Sequence, residues 1–147
     1  MKVEEIKKIA QIGAGVMGHG IAQVAAMAGY DVMLMDVSRA ALDQAMKLIN
    51  TSLSKLVEKK KITEEQKNAV LGKIKPTTDL KEAVKDADYV IEAVFESLPL
   101  KKEIFMAMDD AAPEHAILAS NTSTIPATLL GDVTSRPEKV IDMHWFN

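Results

Sequence analysis

The sequence predicts an α/β fold: a doubly wound parallel sheet with a pair of helices inserted after the second strand. Short apolar segments alternate with helical patterns along the whole chain. A glycine-rich turn joins the first strand to the first helix, and a long amphipathic helix follows the second strand. Six strands with helices between them are typical of an open parallel sheet covered on both faces.

The predicted elements follow one another without a long linker. The first strand covers residues 8–12, the first helix 16–28 and the second strand 31–35. The inserted pair is a long helix with apolar residues between 41 and 57, followed by a short one that a capping box opens at 63–66 and Gly72 ends. Later strands are predicted around 73–76, 89–94, 115–119 and 139–143, with helices at 79–85 and 99–112.

Composition narrows the class of protein. With 147 residues, 48% of them hydrophobic, the chain suits one domain with a sizeable core. The net charge of −3 argues against nucleic acid or an anionic membrane as a partner. The chain has no cysteine, and neither His19 nor His115 has a second ligand nearby, so no metal is expected. The polar start and the lack of a long apolar run predict a cytoplasmic protein.

A G-x-G-x-x-G motif lies directly between the first strand and the first helix. Gly13 permits the tight turn, Gly15 leaves room for a pyrophosphate, and Gly18 lets the helix pack closely on the strand. The start of the helix then attracts the phosphates through its free N–H groups and dipole. This context predicts a Rossmann-type dinucleotide site. Its phosphate-binding residues are Gly13, Ala14, Gly15, Val16, Met17 and Gly18.

Asp36 ends the second strand, where a carboxylate accepts hydrogen bonds from the adenosine ribose hydroxyls. The same carboxylate would repel a 2′-phosphate, so NAD is predicted rather than NADP. Arg39 is the one opposing signal, because a nearby arginine can pair with that phosphate. The alternative interpretation of the whole segment is a tight strand-to-helix turn without a ligand.

Two polar clusters follow the fifth and sixth strands, at residues 120–124 and 144–147. Carboxyl ends of parallel strands meet at one edge of the sheet, which is where ligands bind. His144 can accept a proton at neutral pH, and Ser123 or Asn147 could hydrogen-bond a substrate oxygen. The alternative is that residues 120–124 form a turn capping the next helix and that His144 is a packing residue.

With these motifs in place, the chain resembles the NAD-binding domain of the 3-hydroxyacyl-CoA dehydrogenase family over nearly its whole length. The matching segments are residues 12–18, Asp36, 52–61, 90–96, 120–123 and 144–147. The resemblance implies that NAD contacts Gly13, Gly15, Gly18, Asp36, Glu96, Lys101 and Ser123. It implies that coenzyme A contacts Ser52 and Lys59, that His144 is the catalytic base, and that Ser123 and Asn147 also face the substrate.

The resemblance also implies an activity: hydride transfer between NAD and 3-hydroxyacyl-CoA or 3-oxoacyl-CoA, as in fatty acid beta-oxidation. Residues 1–147 would be the NAD-binding domain. In the family, a glutamate beyond the histidine and a following helical domain complete the active site and form a homodimer. The chain ends before either, so we expect little activity from it alone and no group within it that fixes the tautomer of His144. Trp145 stands where the family more often has phenylalanine.

Two other functions stay open at this point. One is a regulatory module that binds NAD without catalysis. The other is a hydrolase using Ser123 and His144, but the chain has no G-x-S-x-G elbow, and a hydrolase would leave the phosphate loop unexplained.

Overall fold

The structure is a computed structural model that describes residues 1–146. Within these residues, six parallel strands form one sheet, in the order β3-β2-β1-β4-β5-β6. The strands are β1 Lys8–Ile12, β2 Asp31–Met35, β3 Ile74–Thr77, β4 Tyr89–Glu92, β5 Ile117–Ser120 and β6 Val140–Asp142. The strand order reverses between β1 and β4, which opens a crevice at the carboxyl edge of the sheet. The predicted doubly wound sheet is therefore confirmed.

The helices also follow the prediction, with one addition. They are α1 Val16–Met27, α2 Arg39–Glu58, α3 Glu64–Gly72, α4 Leu80–Val84, α5 Leu98–Ala111 and α6 Ala127–Gly131. Helices α2 and α3 form the predicted insertion, and Thr63 and Gln66 form the predicted capping box. Gly29 follows α1 with φ 99°, a conformation that favours glycine. The short α6 was not predicted.

The core lies in two layers, one on each face of the sheet. Ile9 and Leu34 pack with α1 and α2 on one face, while Ala10 and Val90 pack with α4 and α5 on the other. Successive strand residues point to opposite faces, so both faces of the central strands are apolar, as in a sheet covered on both sides. Among residues 1–146, no helix is both long and apolar enough to cross a membrane.

One buried ion pair ties the end of α5 to the segment that enters β6. Nε of Arg136 lies 2.6 Å from Oδ1 of Asp109, and both side chains are nearly buried. The guanidinium also donates to the carbonyl oxygens of Asp109 and Ala112. These carbonyls at the end of a helix have no intrahelical partner, so Arg136 satisfies them and stabilises the end of α5.

Candidate functional site

The glycine-rich turn between β1 and α1 is closely packed. Gly13 has φ 97°, and a Cβ placed on it would lie 2.5 Å from the carbonyl oxygen of Ala93. A Cβ on Gly18 would lie 1.8 Å from the carbonyl oxygen of Gly13. Any side chain at either position would push the turn away from β4 or the helix away from the turn. The geometry agrees with the roles that the sequence assigns to these two glycines.

Gly15 is different because it faces open space. A Cβ there would meet no atom within 4 Å, and its φ of −74° suits any residue. Among residues 1–146, the N–H groups of Gly15, Val16 and Met17 have no hydrogen-bond acceptor. Free N–H groups at a helix start and an open approach to the backbone are what a pyrophosphate requires. The residues present therefore fit the phosphates of a dinucleotide.

The carboxylate of Asp36 is held beside this turn. Oδ2 accepts a hydrogen bond from the N–H of Ala14 at 3.0 Å, and Oδ1 accepts one from Ser38 at 2.9 Å. Each carboxylate oxygen can accept a second hydrogen bond, so both remain able to bind a ribose hydroxyl. Arg39 is exposed and is the first residue of α2. The preference for NAD over NADP stays a prediction.

Glu92 at the end of β4, Glu96 beyond it and Lys101 on α5 form a charged network. Lys101 Nζ lies 2.6 Å from Oε1 of Glu92 and 3.3 Å from Oε1 of Glu96. Glu92 and Lys101 are buried, whereas half of the Glu96 side chain is exposed. Thr122 and Thr124 each donate a hydroxyl hydrogen bond to Oε2 of Glu96, at 2.7 and 2.8 Å. These contacts therefore hold the buried side of Glu96, and its exposed side remains accessible to a ligand.

The same contacts keep Glu96 ionised. Partial burial by itself would raise the pKa of Glu96. The hydrogen bonds from Thr122 and Thr124 and the charge of Lys101 outweigh it, so the pKa lies below its usual value. An ionised carboxylate at this edge is a strong acceptor for a ribose hydroxyl.

The two polar clusters predicted from the sequence do meet at the carboxyl edge. Nδ1 of His144 lies 3.0 Å from the carbonyl oxygen of Asn121, and the N–H of Trp145 donates to Oδ1 of Asn121 at 2.7 Å. Ser123 is exposed in the same loop, and the ring of Phe146 lies edge-on to His144 at 5.0 Å. Asn147, the predicted substrate contact, lies outside the described residues.

The contact with Asn121 settles the protonation of the histidine ring. A backbone carbonyl only accepts hydrogen bonds, so Nδ1 must carry the proton. Neutral His144 then has its lone pair on Nε2, the form that a general base needs. The expectation that no group in this chain fixes the tautomer is wrong: the backbone of Asn121 does so.

The family model of the 3-hydroxyacyl-CoA dehydrogenase NAD-binding domain matches residues 8–147. The chain belongs to the 3-hydroxyacyl-CoA dehydrogenase family. It is 45% identical to a probable 3-hydroxybutyryl-CoA dehydrogenase of Bacillus subtilis, over 97% of this chain and 50% of the relative. A 3-hydroxybutyryl-CoA dehydrogenase of Clostridioides difficile is 41% identical over 95% of this chain and 50% of the relative.

Solved structures of the family share the fold. The (S)-3-hydroxybutyryl-CoA dehydrogenase of Ralstonia eutropha superposes with a TM-score of 0.93 at 40% identity, covering 97% of this chain and 50% of that one. An Escherichia coli 3-hydroxybutyryl-CoA dehydrogenase gives 0.94 at 38% identity, covering 97% of this chain and 30% of that one. The chain thus spans about half the length of the curated relatives above. It is an NAD-binding domain of this family, and its cofactor is NAD.

The residues implied for coenzyme A lie on α2 and at its end. The hydroxyl of Ser52 accepts a hydrogen bond from Nε2 of Gln23 at 2.9 Å, which joins α1 to α2. Lys59 caps the end of α2 and is exposed, and Lys60 after it has φ 56°. The helix places Ser52 and Lys59 about 10 Å apart along its axis. Their contact with coenzyme A stays a prediction.

Sequence reasoning missed three parts of this edge: the roles of Glu92 and Asn121, and the hydroxyl groups of Thr122 and Thr124. One signal was available for Glu92. A carboxylate inside an apolar strand is costly unless it is paired, so its position required a cationic partner nearby. For Asn121 there was no such signal, because its contact with His144 is made by the backbone carbonyl, which every residue has. Among residues 1–146, no cluster of side chains could hold a metal ion.

Proposed function

We propose that this domain provides the NAD site and the catalytic base of an enzyme that interconverts (S)-3-hydroxyacyl-CoA and 3-oxoacyl-CoA. The observation that carries the proposal is the position of His144. Its Nδ1 is held by Asn121 at the same sheet edge as the phosphate loop, which leaves Nε2 free to take a proton. The names of the bacterial relatives, 3-hydroxybutyryl-CoA dehydrogenases, support a short acyl chain.

Each group at this edge then has a defined task. When bound, NAD accepts the hydride from the carbon that carries the hydroxyl group. Nε2 of His144 accepts the hydroxyl proton in that direction and returns it in the other. Ser123, and Asn147 beyond the described residues, would donate to the substrate oxygens, while Glu96 accepts from a ribose hydroxyl. Asp36 accepts from the other ribose at the adenosine end.

The coenzyme A portion would bind along α2. Ser52 supplies a hydroxyl that Gln23 holds in place, and Lys59 supplies a cation at the end of the helix. Lys60 and Lys61 add two more exposed ammonium groups in the next two positions. Ammonium groups attract the phosphates of coenzyme A, and the end of a helix favours cations.

We further propose that the complete enzyme is a homodimer that works in the cytoplasm. Relatives are about twice the length of this chain. In that longer protein, a glutamate beyond residue 147 would support His144, and a helical domain would hold the acyl group and form the dimer.

The experiment is a turnover assay on the complete protein with acetoacetyl-CoA, monitored by loss of NADH absorbance. His144→Gln should lower kcat by about 100-fold or more with NADH affinity unchanged, because the base acts on substrate. His115→Gln is the matched control, since His115 lies at the opposite edge of the sheet and should change nothing. Normal turnover by His144→Gln would refute the role of His144 as the catalytic base. If the wild-type protein bound NADH but showed no turnover, a regulatory module would be favoured.

Residues 1–147 alone serve as a further arm of this assay. We expect them to bind NADH but to reduce acetoacetyl-CoA slowly. His144 is exposed and the ring of Phe146 is 88% exposed, so residues 1–146 do not shield the reacting atoms from water. Near-normal turnover by this chain would show that the active site needs no further residues.

A further inference from the structure

The ion pair between Glu92 and Lys101 is completely enclosed. The side chain of Glu92 has no exposed surface, and that of Lys101 is 1% exposed. Burying two charges is costly, and apolar residues of similar volume often serve stability equally well or better. A pair of this kind at the edge of a ligand site therefore calls for an explanation besides stability.

Three oxygen atoms surround the ammonium group of Lys101 in this arrangement. The group has three hydrogens to donate. Oε1 of Glu92 is 2.6 Å away, Oε1 of Glu96 is 3.3 Å away, and the carbonyl oxygen of Val94 is 3.4 Å away. Of the two carboxylates, Glu92 is fully buried and Glu96 reaches the surface of the site. The ammonium group of Lys101 can thus affect a bound cofactor through the position of the Glu96 carboxylate.

Glu92 determines where that ammonium group sits. Oε1 also accepts from the N–H of Val94 at 2.7 Å, and Oε2 accepts from the hydroxyl of Ser120 at 2.7 Å. Pairing of β4 with β5 sets Glu92 directly beside Ser120. Strand β4, strand β5 and helix α5 therefore all meet at this one carboxylate.

We propose that Glu92 is a positioning residue: it holds Lys101 below the surface, so that Lys101 in turn orients the Glu96 carboxylate towards the ribose at the nicotinamide end of the cofactor. The inference rests on NAD binding by this domain. It gives Lys101 a role in orienting Glu96, in addition to the cofactor contact that the family resemblance implies.

A purely structural role for Glu92 is the competing explanation, because the contacts with Ser120 and Val94 would stabilise the strand ends without any effect on the cofactor. The two roles predict different effects of substitution on ligand binding. A positioning role affects the nicotinamide half of the dinucleotide and depends on Lys101. A structural role affects NADH and ADP alike, since ADP has only the adenosine half and its phosphates.

The test measures dissociation constants of NADH and ADP by calorimetry on the 147-residue chain. The variants are Glu92→Gln, Lys101→Met and the double variant, with Glu103→Gln as an exposed matched control on α5. We expect each single variant to weaken NADH about tenfold, the size of one lost charge-assisted hydrogen bond, with ADP within about twofold of wild type. The double variant should bind NADH no more weakly than Lys101→Met alone, because the two residues act in series.

A pH profile provides a second readout. Without the charge of Lys101, Glu96 becomes protonated at a higher pH, so the acidic loss of NADH affinity should move to higher pH in Lys101→Met. A structural role would leave that profile in place. The double variant removes both buried charges together and is the one expected to fold if a single variant does not.

Several results would overturn the inference. Additive effects of the two substitutions, equal weakening of NADH and ADP, or wild-type NADH affinity in Glu92→Gln would each refute the positioning role. If the wild-type chain itself did not bind NADH while it was folded, the proposed cofactor site would fail instead, so the two failures are distinguishable.

Discussion

The carbonyl oxygen of Asn121 lies 3.0 Å from Nδ1 of His144, across the gap between the ends of β5 and β6. The contact joins a backbone acceptor to a side chain 23 positions further along the chain. The side chain of Asn121 also accepts a hydrogen bond from the N–H of Trp145, so Asn121 holds the segment of His144 and Trp145 at two points. Within residues 1–146, the orientation of the proposed base is thus established by the ends of two strands.

This contact predicts an observable tautomer. Nitrogen-15 NMR of the neutral protein should show His144 protonated on Nδ1. Two other histidines provide internal references: His19 Nδ1 lies 2.8 Å from the carbonyl oxygen of Gly15, and His115 Nε2 lies 2.8 Å from Oδ1 of Asp88. We expect His19 to match His144 and His115 to carry its proton on Nε2. An Nε2-protonated His144 would contradict the arrangement.

Gly15→Val should remove NADH binding without unfolding the domain. The backbone there suits any residue, and the new side chain would occupy the space meant for pyrophosphate. We expect affinity to fall by about 100-fold or more and the melting temperature to change by only a few degrees. Gly72→Val is the control, because Gly72 also has open space around it but ends α3, away from the turn. Retained NADH affinity in Gly15→Val would rule out the phosphate-binding role.

The wild-type domain should bind NADH much more tightly than NADPH, as calorimetry with both cofactors can show. Asp36→Asn keeps an oxygen for the N–H of Ala14 but removes the charge that repels a 2′-phosphate. The ratio of NADPH to NADH affinity should then rise about tenfold or more. Arg39→Ala should leave the ratio nearly unchanged. Equal binding of the two cofactors by the wild-type domain would show that Arg39 outweighs Asp36.

Because of the ion pair between Asp109 and Arg136, the free energy of unfolding should depend on pH in the acidic range. Burial by itself would raise the pKa of Asp109, but hydrogen bonds from Ser135 and Arg136 and the arginine charge lower it. A lowered native pKa stabilises the fold above the unfolded value of about 3.9, and this contribution disappears as pH falls through the native value. Urea unfolding of Asp109→Asn should therefore show a loss of about 3 kcal/mol at neutral pH that shrinks below about pH 4.

Asp110→Asn provides the control for this measurement, because the neighbouring carboxylate on α5 is exposed. It should change the free energy of unfolding by less than about 0.5 kcal/mol at either pH. If Asp109→Asn destabilised the domain equally at pH 3 and pH 7, the charge on Asp109 would not be the source of the stability.

The sequence alone determined the order of elements and the phosphate loop, because the signals for these are local. Apolar spacing distinguishes strands from helices within a few residues, and the capping box at Thr63 and Gln66 marks a helix start directly. The spacing of Gly13, Gly15 and Gly18 predicts a turn whose packing the structure shows in detail. The predicted end of β4 at residue 94 was wrong, because Glu92 takes the N–H of Val94 and the strand ends at Glu92.

Tertiary structure alone decided which groups meet across the sheet. Pairing of β4 with β5 aligns Glu92 with Ser120, whose hydroxyl donates to the Glu92 carboxylate. Pairing of β5 with β6 brings the end of one strand to the end of the next, so Asn121 reaches His144. Such contacts depend on strand order and register, which follow from how whole layers pack. A pattern within a few neighbouring residues carries no information about them, so the partner of the proposed base became visible only in the folded chain.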